Sequence, residues 1–390
     1  MRVLFINDYG VEVGGVETYI VSLKKALVKE GHDVRIFSAT TEKHKATFSD
    51  YTFPGINEYS LFRFIPYTFN IKAVMNLKKV LKEFKPDIVH IHYIYYHFSP
   101  SILLALRKYP TIYTLHAHEL IAPVGVHRAA ECRHDHIGYC RRCLPLHRYC
   151  IEKIKRRIFK GLSGVINNYV SPSEYYRDIH LKAGYKNITV LSNAVETFER
   201  SPLAYNKIIL YVGRLERGKG VHVLIESMDI IHKQVPDAKL VIVGTGSDEV
   251  TLHDMVRKFG LKPYVTFIGQ TSHKSIEKYY IKCDVVVVPS TWQEPFGLVG
   301  VEAMSVGRPV IGTKVGGIPD WLKDGQNGFL IPPNRADLIA KAAVELLTNK
   351  TLLNKMSVSA GVMAKNYSID NHAAILVNIY QENTKVYIDS

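Results

Sequence analysis

The sequence predicts an α/β protein built from two doubly wound, Rossmann-like domains. Three observations lead there. Short apolar runs of strand length alternate with helix-length amphipathic stretches; a glycine-rich turn follows the first strand of each half; and the pattern restarts after Glu199-Arg200-Ser201-Pro202-Leu203. The chain has 390 residues, 47% hydrophobic and 22% charged, an ordinary globular composition long enough for two or three domains with their own cores. No stretch reaches the roughly 18 consecutive apolar residues that a membrane-spanning helix needs.

Residues 3–7 form the first apolar run. It runs into an acid, Asp8, with no small-residue cleavage site, so it reads as a buried strand rather than a signal peptide, and a cytoplasmic protein is expected. Gly14-Gly15 then breaks the chain, and Val16, Tyr19, Ile20, Leu23, Ala26 and Leu27 recur at helical spacing up to Gly31. Further strands are expected at 34–38, 87–92, 111–115 and 164–170, which completes a first domain of residues 1–200. Alternation of this kind implies a mostly parallel sheet with helices on both faces.

In the second half, a strand at 208–212 meets a glycine-rich turn and a helix marked by Val221, Leu224, Ile225 and Met228. Strands follow at 239–243, 265–268, 284–289 and 309–312, giving a second domain of residues 201–365. Residues 366–390 carry Ala373, Ile375, Leu376, Ile379 and Tyr380 at helical spacing and are expected to form a C-terminal helix that packs back on the first domain. Ligands in such folds bind beyond the carboxyl ends of the strands, so the cleft between the two domains is the expected site.

Fifty basic against 36 acidic residues give a net charge of +14. Residues 1–200 hold 29 Lys/Arg and 18 Asp/Glu, while residues 201–390 hold 21 and 18, so the excess sits in the first half. Such a field favours an anionic partner: a phosphate-bearing small molecule, an anionic membrane surface or a nucleic acid.

The most informative segment runs from Pro289 through Glu294-Pro295-Phe296-Gly297-Leu298 to Glu302 and Met304. A strand ends, a turn carries Glu294, and a helix opening at Phe296-Gly297 holds Glu302. Unpaired N–H groups at a helix start attract anions. Ionised carboxylates accept hydrogen bonds from sugar hydroxyls, although the same two acids could simply stabilise the helix dipole. Gly213-Arg214-Leu215-Glu216-Arg217-Gly218-Lys219-Gly220 is a strand-to-helix turn in the same half. Its glycines permit close backbone approach, and Arg214 and Lys219 offer a planar fork and a point charge for phosphate oxygens.

Taken together, Glu294 and Glu302 at Glu-x7-Glu spacing, Gly213-Arg214 with Lys219, Val243-Gly244-Thr245-Gly246 and Gly14-Gly15-Val16-Glu17 resemble the retaining nucleotide-sugar glycosyltransferases of family four. The resemblance covers nearly the whole chain, including Pro319 and Gly325-Gln326-Asn327-Gly328-Phe329-Leu330. It implies the GT-B fold, two Rossmann-like domains facing each other across a deep cleft. It also implies that Arg214 and Lys219, with Gly213 and Gly244 beside them, bind the diphosphate of a nucleoside diphosphate sugar. Glu302 would hold the ribose hydroxyls, Glu294 and the backbone of Phe296, Gly297 and Leu298 the donor sugar, and Gly15 would approach the donor phosphate from the first domain. His116, in Tyr113-Thr114-Leu115-His116-Ala117-His118-Glu119, matches the family histidine that faces the donor sugar, with His118 an alternative if the strand persists.

The implied mechanism is front-face transfer with retention, the leaving diphosphate being stabilised by Arg214, Lys219 and the helix N-terminus. The chain has no Asp-x-Asp motif, and this mechanism requires no catalytic metal. Ser192-Asn193-Ala194-Val195-Glu196 departs from the family's usual Asn-Gly-Val-Asp, which leaves any role of Asn193 open.

Four cysteines, Cys132, Cys140, Cys143 and Cys150, fall in one loop, while Cys283 reads as a core residue. Their spacing suits a structural zinc ion, with an iron–sulfur cluster, disulfides or free thiols as alternatives. The loop, residues 128–160, is strongly basic and could face a lipid-phosphate surface, an anionic acceptor or RNA. Aromatic residues crowd the same half, among them Phe53, Phe69, Tyr95 and Phe98, and core packing accounts for most such residues.

The expected protein is a retaining glycosyltransferase that moves a hexose-type sugar from a nucleoside diphosphate to an acceptor hydroxyl of a glycolipid, polysaccharide or other glycan precursor. It would be cytoplasmic and peripheral on the inner face of the membrane, with a lipid-linked acceptor. The alternatives are a sugar-nucleotide epimerase or hydrolase of the same fold, and a basic lipid- or RNA-binding protein.

Overall fold

A computed structural model describes residues 1–56, 64–121 and 145–388. These divide into two units, one containing the chain up to Ser192 and again from Ile369, the other Asn193–Ser368. The changeover thus precedes residue 200, and the chain leaves the second unit three residues after position 365.

The first unit contains β1 (Arg2–Tyr9), α1 (Gly15–Lys29), β2 (Asp33–Thr40), β3 (Tyr51–Pro54), α2 (Phe64–Thr68), α3 (Ile71–Phe84), β4 (Ile88–Tyr93), α4 (Leu103–Leu106), β5 (Thr111–Thr114), α5 (Leu146–Leu162), β6 (Asn168–Ser171), α6 (Glu174–Lys182) and β7 (Ile188–Val190). Its seven strands lie in the order β3-β2-β1-β4-β5-β6-β7, and every adjacent pair is parallel. Val3, Leu4, Phe5 and Ile6 of β1 are fully buried, because a central parallel strand is covered on both faces. The run expected to begin at 164 starts as a strand only at Asn168, since Ser163–Val165 is a 3₁₀ turn. β3 and β7, only four and three residues long, escape a periodicity test.

The second unit contains β8 (Ile208–Val212), α7 (Val221–Gln234), β9 (Lys239–Val243), α8 (Glu249–Lys258), β10 (Val265–Gly269), α9 (His273–Lys282), β11 (Val285–Val288), α10 (Leu298–Ser305), β12 (Val310–Thr313), α11 (Ile318–Trp321), β13 (Gly328–Ile331), α12 (Ala336–Thr348) and α13 (Lys350–Ala364). Its six parallel strands run β10-β9-β8-β11-β12-β13. Cys283 is fully buried, its thiol donating to the Tyr280 carbonyl.

The last helix, α14 (Ile369–Ile388), belongs to the first unit. It buries Ala373, Leu376, Ile379 and Tyr380 among Tyr19, Ile20 and Leu23 of α1. Two hydrogen bonds pin it, from Tyr19 Oη to His372 Nε2 at 2.6 Å and from Tyr380 Oη to His90 Nδ1 at 2.7 Å. None of the described helices is long and apolar enough to cross a membrane.

Candidate active site

In the second unit the strand order reverses between β8 and β11, the place where doubly wound sheets leave a crevice for a ligand. The loops leaving these two strands carry the predicted charges. Residues 213–220 follow β8, residues 289–297 follow β11, and the Gly218 carbonyl joins the loops by accepting from the N–H groups of Thr291 (2.8 Å) and Trp292 (3.2 Å). The junction is tight enough to demand glycine. Gly220 has φ 74°, and a Cβ there would sit 1.9 Å from the Pro289 carbonyl oxygen.

This crossing brings Lys219 to Glu294. The ammonium lies 2.8 Å from Glu294 Oε1 and 4.8 Å above the Trp292 ring. The same oxygen accepts from Ser290 Oγ (2.6 Å) and Trp292 Nε1 (2.7 Å). Burial pushes the Glu294 carboxyl up, but the Lys219 charge and the three hydrogen bonds outweigh it and hold the group below the usual carboxylate range. Since the donors converge on Oε1, Oε2 is the oxygen these three leave for a ligand hydroxyl. Eight residues on, Glu302 is buried in α10, and its Oε2 accepts from Tyr280 Oη at 2.8 Å.

Gly213 and Gly244 end neighbouring strands, with φ of 150° and 133°. A Cβ on Gly244 would meet the Gly213 carbonyl oxygen at 1.9 Å, so the two loops cross backbone to backbone. Arg214 is exposed beside them and pairs with Glu216 at 2.7 Å. Phe296 is buried, Gly297 caps α10 with φ 94°, and Leu298 is the first helical residue. An eight-residue helix so capped presents the N–H groups of its first turn at the carboxyl edge of the sheet. The arrangement places an ammonium, a guanidinium, two anchored carboxylates and a helix start along one edge, and can hold an anion together with hydroxyls.

The remaining predicted residues stand in the first unit. Gly15 opens α1, where Glu17 reaches back to accept from the Gly14 N–H at 3.0 Å. At the end of β1, Asp8 accepts from four successive N–H groups, Tyr95 (2.6 Å), Tyr96 (2.5 Å), His97 (3.0 Å) and Phe98 (2.8 Å), and so shapes the loop after β4.

His116 follows β5 and is buried. Its Nε2 lies 3.2 Å from His92 Nδ1, and its ring packs on Tyr19 at 5.2 Å. Burial, reinforced by His372, pushes its pKa down to about 3, so the imidazole is neutral at physiological pH. β5 stops at Thr114, so alternation does not carry His118 onto the same face. His118 instead begins a 3₁₀ turn and packs on Tyr176 at 4.8 Å.

Cys132, Cys140 and Cys143, and residues 128–144 of the basic loop, lie outside the described residues. Cys150 is exposed on α5. No group of three or more His, Cys, Asp or Glu suited to a metal ion occurs among the described residues. The aromatic residues divide. Phe53, Tyr95 and Phe98 are buried, whereas Phe69 is 44% exposed.

Sequence reading missed several supporting groups. Ser290 and Trp292 could have been found, since they precede Glu294 by four and two residues with donor side chains. Tyr280, His92, His372 and Tyr19 could not, because only the fold brings them to Glu302 and His116.

The chain matches two family descriptions, "Glycosyltransferase Family 4" over residues 13–198 and "Glycosyl transferases group 1" over residues 195–361. An uncharacterized glycosyltransferase of Methanocaldococcus jannaschii is 27% identical, the match covering 95% of this chain and 94% of that one. Among solved structures, sucrose-phosphate synthase from Thermosynechococcus elongatus superposes with a TM-score of 0.76 at 20% identity, covering 100% of both chains. Anabaena HepE, crystallised with UDP, superposes with a TM-score of 0.73 at 19% identity, covering 98% of this chain and 100% of that one.

Proposed function

The chain belongs to the family-four glycosyltransferases of the GT-B fold, and we propose that it is a retaining enzyme moving a hexose-type sugar from a nucleoside diphosphate to an acceptor hydroxyl. The observation that carries the donor reading is the Lys219–Glu294 pair held at the strand-order reversal. The UDP in HepE supports a nucleoside diphosphate as the donor class.

In this reading Arg214 and Lys219 face the diphosphate, Glu302 binds the ribose hydroxyls, and Glu294 Oε2 accepts from the donor sugar. Phe296, Gly297 and Leu298 contribute backbone N–H groups, Gly213 and Gly244 close backbone approach, and Gly15 contacts the donor phosphate. His116, kept neutral by burial, exchanges hydrogen bonds with a sugar hydroxyl without introducing charge. The bond from the anomeric carbon to the diphosphate oxygen breaks as the acceptor oxygen bonds to the same face of that carbon. The acceptor's hydroxyl proton passes to the leaving diphosphate. Charge developing there meets Arg214, Lys219 and the start of α10, which replace a divalent cation in this mechanism.

The enzyme would act on the cytoplasmic side of the membrane on a lipid-linked or other glycan precursor. Cys132, Cys140, Cys143 and Cys150 would hold a structural zinc ion. Elemental analysis of untagged protein should find about one zinc per chain, lost in a Cys140→Ser/Cys143→Ser variant. Absence of metal from anaerobically prepared protein would reject the site.

Calorimetric titration with uridine, guanosine and adenosine diphosphate sugars, with and without magnesium, tests the donor reading. One donor class should bind without magnesium, and Glu302→Ala should weaken it. Binding by no donor would overturn the reading. Rapid turnover of the donor with no acceptor present would favour a hydrolase or epimerase instead.

A further inference from the structure

In the first unit, six large apolar side chains between 44% and 58% exposed gather on three helices: Ile65 on α2, Phe69 just after it, Ile71 and Met75 on α3, and Leu146 and Ile154 on α5. α2 packs on α5, with the Lys155 ammonium 5.6 Å from the Tyr67 ring, and α3 and α5 both pack on the 3₁₀ turn Pro100–Ile102. α3 already buries Ala73, Leu77, Val80, Leu81 and Phe84 on its inner side. Its outward stripe is therefore surplus to the core.

Cations outnumber anions on this face. α3 exposes Lys72, Lys78, Lys79 and Lys82, and α5 exposes Arg148, Lys153 and Arg157. These three helices contain two acids. Glu83 accepts from Tyr51 Oη at 3.1 Å, and Glu152 is buried with its Oε1 2.5 Å from Tyr95 Oη. A surface meant only for water intersperses both signs and keeps large apolar groups covered. Bare aliphatic side chains ringed by cations match an anionic lipid interface, where headgroups attract the Lys and Arg and the apolar tips enter the acyl boundary. RNA would satisfy the cations but leave Ile65, Ile71, Met75 and Ile154 in water.

We propose that the outer face of α2, α3 and α5 docks on an anionic phospholipid bilayer. This deepens the location proposed above and stands independently of the donor reading.

Flotation of the full-length protein with vesicles tests it, comparing phosphatidylcholine alone with an equimolar mixture of phosphatidylcholine and phosphatidylglycerol. The protein should float only with the mixed vesicles. Lys78→Glu/Lys79→Glu/Lys82→Glu should lower its partition by at least about tenfold, through both lost attraction and added repulsion. Phe69→Ser/Met75→Ser/Ile154→Ser should still bind at low salt but be released by salt that leaves the parent bound. Both variants should keep the parent's circular dichroism and nucleotide-sugar binding, since neither touches the donor site. Flotation without any donor binding would support the docking face while removing the transferase reading. Failure of the parent to float, or equal flotation by correctly folded variants, would overturn the proposal. A dimer in sedimentation equilibrium that the Phe69→Ser/Met75→Ser/Ile154→Ser variant splits would also overturn it, by assigning the face to a second copy.

Discussion

Glu294 is buried with a charge partner, Lys219, and two neutral donors on one oxygen. Removing Lys219 leaves a buried carboxylate held only by Ser290 and Trp292, so Lys219→Ala should reduce turnover about 10²- to 10³-fold, through loss of charge opposite the leaving diphosphate. It should also lower the melting temperature, because breaking a buried pair from one side strands the other charge. Steady-state kinetics and thermal unfolding on the same preparation check both outcomes, and unaltered kinetics would remove Lys219 from the site. Tyr280→Phe withdraws one hydrogen bond from Glu302 and leaves the ring packed, so donor affinity should fall about tenfold at near-constant stability, a difference that calorimetric titration reads.

Two helices depend on features outside their own propensity. α7 can start only because Gly220 adopts φ 74° under the Pro289 carbonyl, whereas Gly260, at φ 68°, has nothing within 4 Å of its would-be Cβ. Gly260→Ala should therefore cost about 1 kcal/mol of backbone strain alone. Gly220→Ala should cost more and also weaken donor binding, because any shift there moves Lys219. Equal melting temperatures for the two variants would discount the close contact. α14 has a buried stripe of its own, and Leu376→Ala should destabilise the first unit by roughly 2–5 kcal/mol in denaturant unfolding.

At the scale of the whole molecule, the first unit carries, among the described residues, five buried imidazoles with pKa values depressed chiefly by burial, His90, His92, His116, His180 and His372, to about 3 for His116 and about 4 for His180 and His372. A histidine with a depressed native pKa contributes stability that is complete above the unfolded value near 6.5 and is lost as pH falls toward the native value, because the unfolded chain takes up the proton first. Glu119, which burial raises to about 8, acts in the opposite sense above its ordinary value and offsets about one of the five. Stability should therefore fall steadily from pH 6.5 to about 4.5, by up to ~1.4 kcal/mol per pH unit for each histidine not offset. A melting temperature that stays flat across that window would show that these imidazoles are not buried in solution. The two-domain α/β plan, most strands and the residues flanking Glu294 were legible in the chain, because hydrophobic period and turn chemistry are local. β3, β7 and β13 were not, being too short for a period to show. Nor could sequence join Tyr280 to Glu302 or His372 to Tyr19, since these contacts span 22 and 353 residues of chain and exist only once the helices dock. The chain by itself determined the family, the fold class and the charged groups carried by the loops after β8 and β11; tertiary packing alone decided which of those charges are paired, which imidazoles are neutral and which helix faces remain bare, because burial and proximity set those properties.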